Sequence, residues 1–155
     1  MLIYLIWDTS GSMAESGKLW IARSVARAVE QYLRLGYGRA DLKLIAWGDE
    51  ARHVEWVAED DFPLELLTAA GSSSAKALTA LLGNQPGGKV LLLTDGFWSY
   101  PDAKELKRWK QSLPRDTVRI IKIGVDANPH LKGADVFKAE DLFLALHGWI
   151  ERGSQ

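Results

Sequence analysis

Three short segments of this 155-residue chain carry clustered oxygen side chains. Residues 8–12 (Asp-Thr-Ser-Gly-Ser) place a carboxylate and two hydroxyls at every second position, and residues 71–74 (Gly-Ser-Ser-Ser) and 94–96 (Thr-Asp-Gly) add further oxygens. Carboxylate and hydroxyl oxygens suit hard divalent cations such as Mg²⁺ or Mn²⁺ better than Zn²⁺ or copper. The three segments therefore indicate a magnesium or manganese site.

The first of these segments follows an apolar run, residues 2–7 (Leu-Ile-Tyr-Leu-Ile-Trp), that has no polar alternation. Such a run predicts a strand that is buried on both faces, as in the middle of a parallel sheet. Open α/β sheets bind their ligands at the carboxyl ends of central strands. Residues 8–12 are therefore predicted to lie at the ligand-binding edge of the sheet.

The rest of the chain alternates between strand and helix patterns. Strands are predicted at 2–7, 41–47, 53–57, 89–94, 117–124 and 134–137, and helices at 18–35, 75–82, 101–113 and 140–150. This alternation favours an α/β fold with a doubly wound, mostly parallel sheet that has helices on both faces. The alternating segment 53–57 is predicted to be an antiparallel edge strand that a short hairpin joins to 41–47.

The three segments together resemble the metal-ion-dependent adhesion site (MIDAS) of the von Willebrand factor A family. Residues 8–12 match the D-x-S-x-S signature of that site, and the order of strands and helices matches over nearly the whole chain. The resemblance implies a Rossmann-like fold and a bound Mg²⁺ or Mn²⁺. It also implies that Ser10 and Ser12 bind the metal directly, whereas Asp8 and Asp95 hold its water ligands.

The second segment departs from the family, which usually has Gly-Gly-Thr where this chain has Ala-Gly-Ser at 70–72. Because serine keeps the coordinating hydroxyl, the resemblance implies Ser72, six residues before Leu78, as the remaining ligand. Ser73 and Ser74 are alternatives, and either could instead cap the following helix. Taken alone, 8–12 would also fit a capping turn, and 95–96 an ordinary Asp-Gly turn.

The resemblance further implies that an Asp or Glu carboxylate of a partner protein fills the open metal position. Methionine and aromatic side chains, which are enriched at protein interfaces, occur in the same loops. We predict that they form the docking surface: Met13, Phe97, Trp98 and Tyr100. The alternative for Met13 and Phe97 is that they pack under the loops. Small stand-alone prokaryotic members of the family often work beside AAA+ ATPases of the MoxR type, and the resemblance thus implies an adaptor role.

Composition limits the other functions. We expect one domain at 1–152 with a tail at 153–155, and the absence of cysteine excludes disulfides and thiol chemistry. A formal net charge of -1 favours neither nucleic acid nor membrane partners. The N-terminal apolar run lacks a basic region and a cleavage site, so we expect a soluble cytoplasmic protein.

Two other functions remain as alternatives. One is a metal-dependent phosphoesterase, and the other is an RNA-associated module of the same family. A phosphate-binding P-loop is excluded because five residues, not four, separate Gly11 from Gly17, and Leu19 follows Lys18. No Gly-x-Ser-x-Gly motif occurs, and the three histidines lie far from the serine segments in sequence. We therefore do not expect the chain to be an enzyme.

Overall fold

The computed structural model describes residues 1–37, 40–57 and 62–153, and in them a six-stranded sheet lies between two helical layers. The strands are β1 (Leu2–Asp8), β2 (Asp41–Trp47), β3 (Ala51–Val54), β4 (Lys89–Thr94), β5 (Val118–Lys122) and β6 (Val136–Lys138). The helices are α1 (Lys18–Gln31), α2 (Ala75–Leu82), α3 (Tyr100–Ser112) and α4 (Leu142–Gly153). Single 3-10 turns occupy Gly11–Ala14, Leu64–Leu67 and Ala139–Asp141.

The sheet has the strand order β3-β2-β1-β4-β5-β6. All neighbouring strands are parallel except β2 and β3, which are antiparallel. In β1, Ile6 lies opposite Ile45 on one side and Leu92 on the other, so β1 is a central strand. The predicted fold class and its antiparallel edge strand are confirmed.

Alternate side chains of β1 enter two separate hydrophobic cores. Ile3, Leu5 and Trp7 pack with α1 and α4 on one face, whereas Tyr4 and Ile6 pack with α2 and α3 on the other. Both faces are covered because parallel strands are connected by helices that cross above or below the sheet. This burial on both sides explains the unbroken apolar run in the sequence.

Several element boundaries differ from the predicted ones. The helix predicted at 18–35 is α-helical to Gln31 and continues as a π-helical segment, Tyr32–Tyr37. Gly38, three residues beyond the predicted end of this helix, lies outside the described residues. Part of the polar stretch at 59–63 and most of the predicted tail at 153–155 also lie outside them. The last helix begins after a 3-10 turn, at Leu142.

The strand order reverses between β1 and β4, since β2 lies on one side of β1 and β4 on the other. In doubly wound sheets the loops at this point diverge and leave a crevice at the carboxyl edge. Asp8 ends β1 and Thr94 ends β4, so both lie at that crevice. None of the helices in the described part of the chain is long and apolar enough to cross a membrane.

Candidate metal centre

The carboxylate of Asp8 is the centre of the site. It is fully buried, and its two oxygens accept hydrogen bonds from three segments of the chain. Oδ1 accepts the backbone N–H of Ser10 at 2.9 Å and the hydroxyl of Ser73 at 2.9 Å. Oδ2 accepts the hydroxyl of Thr94 at 2.6 Å. Asp8 therefore fixes the relative positions of the three predicted loops.

Burial raises the pKa of the Asp8 carboxyl above its ordinary value, because transfer out of water penalises the charged form. The hydrogen bonds from Thr94, Ser10 and Ser73 act in the opposite direction but do not offset the burial. The ionised carboxylate is thus held in an environment where its negative charge is only partly compensated.

The hydroxyls of Ser10 and Ser12 lie next to each other, with 3.4 Å between the two Oγ atoms. Two oxygens on adjacent positions of a Mg²⁺ ion at roughly 2.1 Å would be about 3.0 Å apart, so a small rotation of either side chain suffices. The backbone holds this loop, because Gly11 N–H donates to the carbonyl of Gly71 at 2.9 Å. The donor set and its spacing fit a hard divalent cation.

The second loop places its three serines in three different environments. Ser73 is buried and bonds to Asp8, whereas the Ser74 hydroxyl accepts the N–H of Ala77 at 3.2 Å and caps α2. Ser72 is exposed and donates both its N–H and its hydroxyl to Oδ1 of Asp49, at 3.1 and 2.8 Å. The structure therefore does not bring Ser72 to the cluster, and Ser73 lies where Ser72 was predicted.

The contact with Ser72 also changes the chemistry of Asp49. Hydrogen bonds from the backbone and side chain of Ser72 stabilise the carboxylate and lower the pKa of Asp49. Gly71 permits this arrangement, because it has a φ of +77° and a Cβ at that position would lie 2.4 Å from Asp49 Oδ2. Asp49 thus acts as the anchor of the second loop outside the cluster.

Asp95, from the third loop, is fully buried and is paired with a lysine. Its Oδ2 lies 3.0 Å from Nζ of Lys18, and its Oδ1 accepts the N–H of Phe97 at 3.2 Å. Burial by itself lowers the pKa of Lys18, but the hydrogen bond and charge of Asp95, together with Asp126, outweigh it and raise that pKa. Lys18 therefore remains a charged ammonium beside Asp95.

Sequence reasoning assigned no role to Lys18 or Thr94. Thr94 was recognised as part of an oxygen-rich loop, but its hydroxyl in fact links Asp8 to the third loop, since it also accepts the N–H of Gly96 at 3.0 Å. In the sequence, Lys18 stands out only as part of the excluded phosphate-binding pattern. The available signal was its position as the first residue of the helix that follows the serine loop.

The predicted docking surface is only partly exposed. Met13 is 0% exposed and packs in the core under the loops, so the structure does not place it on an exposed surface. Trp98 is half-buried, with its ring 6.0 Å from that of Trp47. Phe97 and Tyr100 are 46% and 79% exposed and remain accessible beside the site.

In the described part of the chain, histidine, cysteine, aspartate and glutamate side chains form no group of three or more that could hold a metal. A site here would have to depend on serine hydroxyls together with few carboxylates. Such a site binds a cation weakly through the protein alone, because neutral hydroxyls compensate little of the metal's charge.

Comparison with solved structures reveals the same fold in several proteins. A von Willebrand factor type A protein from Catenulispora acidiphila has a TM-score of 0.62 and 22% identity over 94% of this chain and 40% of its own. Manganese-loaded TRAP of Plasmodium vivax has a TM-score of 0.61 and 17% identity over 92% and 71% of the two chains. Proximal thread matrix protein 1 of the mussel byssus, with a zinc-occupied MIDAS motif, has a TM-score of 0.55 and 14% identity over 94% and 44%.

The chain therefore has the fold of von Willebrand factor A domains. It spans less than half the length of two of these three structures, at 40% and 44%. No protein-family model matches the chain, and no curated protein matches it either.

Proposed function

We propose that this chain is a protein-interaction module that binds an acidic residue of a partner through a divalent cation. The observation that carries the proposal is the buried Asp8 carboxylate, which gathers three loops beside the paired hydroxyls of Ser10 and Ser12. Manganese-loaded TRAP and the zinc-occupied MIDAS motif of the mussel protein, which have the same fold, support a divalent cation as the ligand.

In this proposal, Ser10, Ser12 and Ser73 supply hydroxyl ligands for Mg²⁺ or Mn²⁺. Asp8 and Asp95 orient water ligands and supply negative charge. We assign the ligand of the second loop to Ser73 and not to Ser72. The Ser72 hydroxyl donates to Asp49, whereas the Ser73 hydroxyl donates to Asp8. When bound, the cation would act as a Lewis acid that attracts a carboxylate.

The partner-binding surface would consist of the exposed rings of Phe97 and Tyr100 around the metal, with Trp98 at its edge. Exposed aromatic side chains next to a charged site provide contact area that the single metal–carboxylate bond lacks. We propose a cytoplasmic adaptor with no catalytic step, for which an AAA+ ATPase of the MoxR type is a candidate partner. Neither a nucleophile nor a general base is needed for this role.

Calorimetric titration of Mg²⁺ and Mn²⁺ into chelator-treated protein tests the metal site. We expect saturable binding that is lost in Asp8→Ala and Ser10→Ala and retained in Thr9→Ser. Thr9 is a matched control because it lies in the same loop, and its hydroxyl donates to the carbonyl of Trp47 instead. Equal binding by all four proteins, or none by the wild type, would refute the metal site.

Partner capture tests the second half of the proposal. Immobilised wild-type protein is incubated with a lysate of its source in Mg²⁺ or in chelator, beside Ser10→Ala. We expect the wild type with Mg²⁺, and neither Ser10→Ala nor the chelator sample, to retain a partner protein. Changing the candidate acidic residue of that partner to the amide should abolish its retention. Retention that is unaffected by chelator contradicts a metal-mediated contact.

A further inference from the structure

Lys18 is an unusual cation because its whole side chain is buried at the edge of the metal site. The ammonium has three acceptors: Asp95 Oδ2 at 3.0 Å, the carbonyl of Ser12 at 3.3 Å and Asp126 Oδ2 at 3.4 Å. Each ammonium hydrogen can thus be directed at one oxygen. Lys18 connects the first loop with the third and with the loop after β5.

The surroundings hold this ammonium in place. The lysine stem runs beneath Gly124, where a Cβ would lie 2.9 Å from Lys18 Cε, so the loop after β5 closes directly over it. The ring of Phe97 lies on another side, with its centroid 5.3 Å from Nζ. A buried lysine with satisfied donors and a closed surround cannot move easily away from Asp95.

The ion pair changes the charge that a bound metal would experience. Asp8 and Asp95 are both fully buried carboxylates of the cluster, and together they would carry two negative charges. Lys18 offsets the charge of Asp95, so Asp8, Asp95 and Lys18 together carry one net negative charge. Asp126, the other carboxylate beside Lys18, is 42% exposed, so water screens its charge. Electrostatic interactions in such a site are strong, because little water is present to screen them.

We propose that Lys18 is a positioning residue that sets the charge of the metal site by neutralising Asp95. This inference rests on the proposed function, in which Asp8 and Asp95 stand beside the cation. With one net negative charge nearby, a divalent ion binds less tightly to the chain but keeps an excess positive charge. That excess is what a partner's carboxylate would neutralise.

A double-mutant cycle with Mn²⁺ as the probe tests this proposal by calorimetry at a single pH. The four proteins are the wild type, Lys18→Met, Asp95→Asn and the combination of both. We expect Lys18→Met to bind Mn²⁺ about tenfold more tightly than the wild type and Asp95→Asn about tenfold more weakly. The combined variant, which has lost both charges, should lie within about threefold of the wild type.

A control variant separates this local effect from that of total charge. Lys104 is an exposed lysine on α3, so Lys104→Met should leave the Mn²⁺ affinity unchanged because water and salt screen its charge.

If Lys18 and Asp95 served only to hold the loops together, all three variants of the cycle would bind more weakly than the wild type. That result would overturn the proposal.

Lys18→Met leaves a buried carboxylate without its partner and could unfold the protein. In that case the test is the Mn²⁺ affinity of Asp95→Asn compared with that of the combined variant. About tenfold tighter binding by the combined variant supports the charge effect, and equal affinities refute it. Absence of Mn²⁺ binding in every protein would refute the metal site and this inference together. Binding by the wild type, with variants that do not follow the expected order, would refute only the role of Lys18.

Discussion

The hydroxyl of Ser73 donates a 2.9 Å hydrogen bond to Oδ1 of Asp8, although 65 residues separate the two in the chain. The neighbouring Ser72 points to Asp49 instead. This difference assigns the two serines to different tasks. Ser73 belongs to the cluster around the buried carboxylate, whereas Ser72 anchors the loop from outside.

Ser73→Ala should therefore weaken Mn²⁺ binding by at least about tenfold, because it removes a hydroxyl oxygen from the donor set and a donor from Asp8. Ser72→Ala is the matched control one residue away and should change the affinity by less than about threefold. Calorimetric titration of both variants provides the measurement. A loss that is larger in Ser72→Ala than in Ser73→Ala would instead restore Ser72 as the ligand.

Asp8→Asn should raise the melting temperature of the metal-free protein at neutral pH. The raised pKa of Asp8 means that its ionised form opposes folding, and the neutral amide removes that cost. Its amide group can donate to Thr94, whose hydroxyl currently donates to Oδ2. The measurement is thermal melting in chelator.

The pH dependence of this difference has a definite sign. A carboxyl whose pKa is raised on folding stabilises the fold fully below its unfolded pKa, near 3.8, and loses that contribution as pH rises through the folded pKa. The difference in melting temperature between Asp8→Asn and the wild type should therefore be largest above the folded pKa of Asp8. It should shrink as pH falls toward 3.8. A gap that widens on acidification would contradict the burial of an uncompensated charge. Added Mg²⁺ should stabilise only the wild type.

The fold was predictable because local patterns carry it. The unbroken apolar runs at 2–7 and 90–93 are what parallel strands covered on both faces require, and they lie in the adjacent strands β1 and β4. The edge strand was predicted at 53–57 but occupies Ala51–Val54. An exposed edge strand has a weaker hydrophobic pattern, because only one of its faces is buried.

The site was predictable only where the motif is contiguous. Three consecutive serines are chemically equivalent in the sequence, and the position of Asp49 and the start of α2 at Ala75 distinguish them. The burial of Lys18 depends on Asp95, which lies 77 residues away. No periodicity within the first helix reveals such a long-range ion pair.

Gly71→Ala should destabilise the protein more than Gly87→Ala does. The two glycines have almost the same positive φ, +77° and +78°, so each substitution costs about 1–2 kcal/mol for the left-handed backbone. At Gly71 the new Cβ would also lie 2.4 Å from Asp49 Oδ2, whereas at Gly87 it meets nothing within 4 Å.

Chemical denaturation of the two glycine variants measures this difference directly. We expect Gly71→Ala to lose the hydrogen bonds between Asp49 and Ser72 as well, since the carboxylate must move aside. Adding Asp49→Ala to Gly71→Ala should then cost little more, because the contact is already broken. Equal losses of stability in Gly71→Ala and Gly87→Ala would mean that the second loop relaxes without strain.

The exposed rings beside the site should matter for binding and not for folding. Phe97→Ala and Tyr100→Ala remove side chains that are 46% and 79% exposed, so each should change the free energy of unfolding by only about 0.5 kcal/mol. Met13→Ala removes a fully buried side chain and should cost about 2–5 kcal/mol. If the rings form the docking surface, the first two variants lose the captured partner, and Tyr100→Ala, which leaves the Phe97 ring beside Lys18 in place, retains Mn²⁺ affinity. Retention of the partner by the double variant Phe97→Ala/Tyr100→Ala would move the docking surface away from these rings.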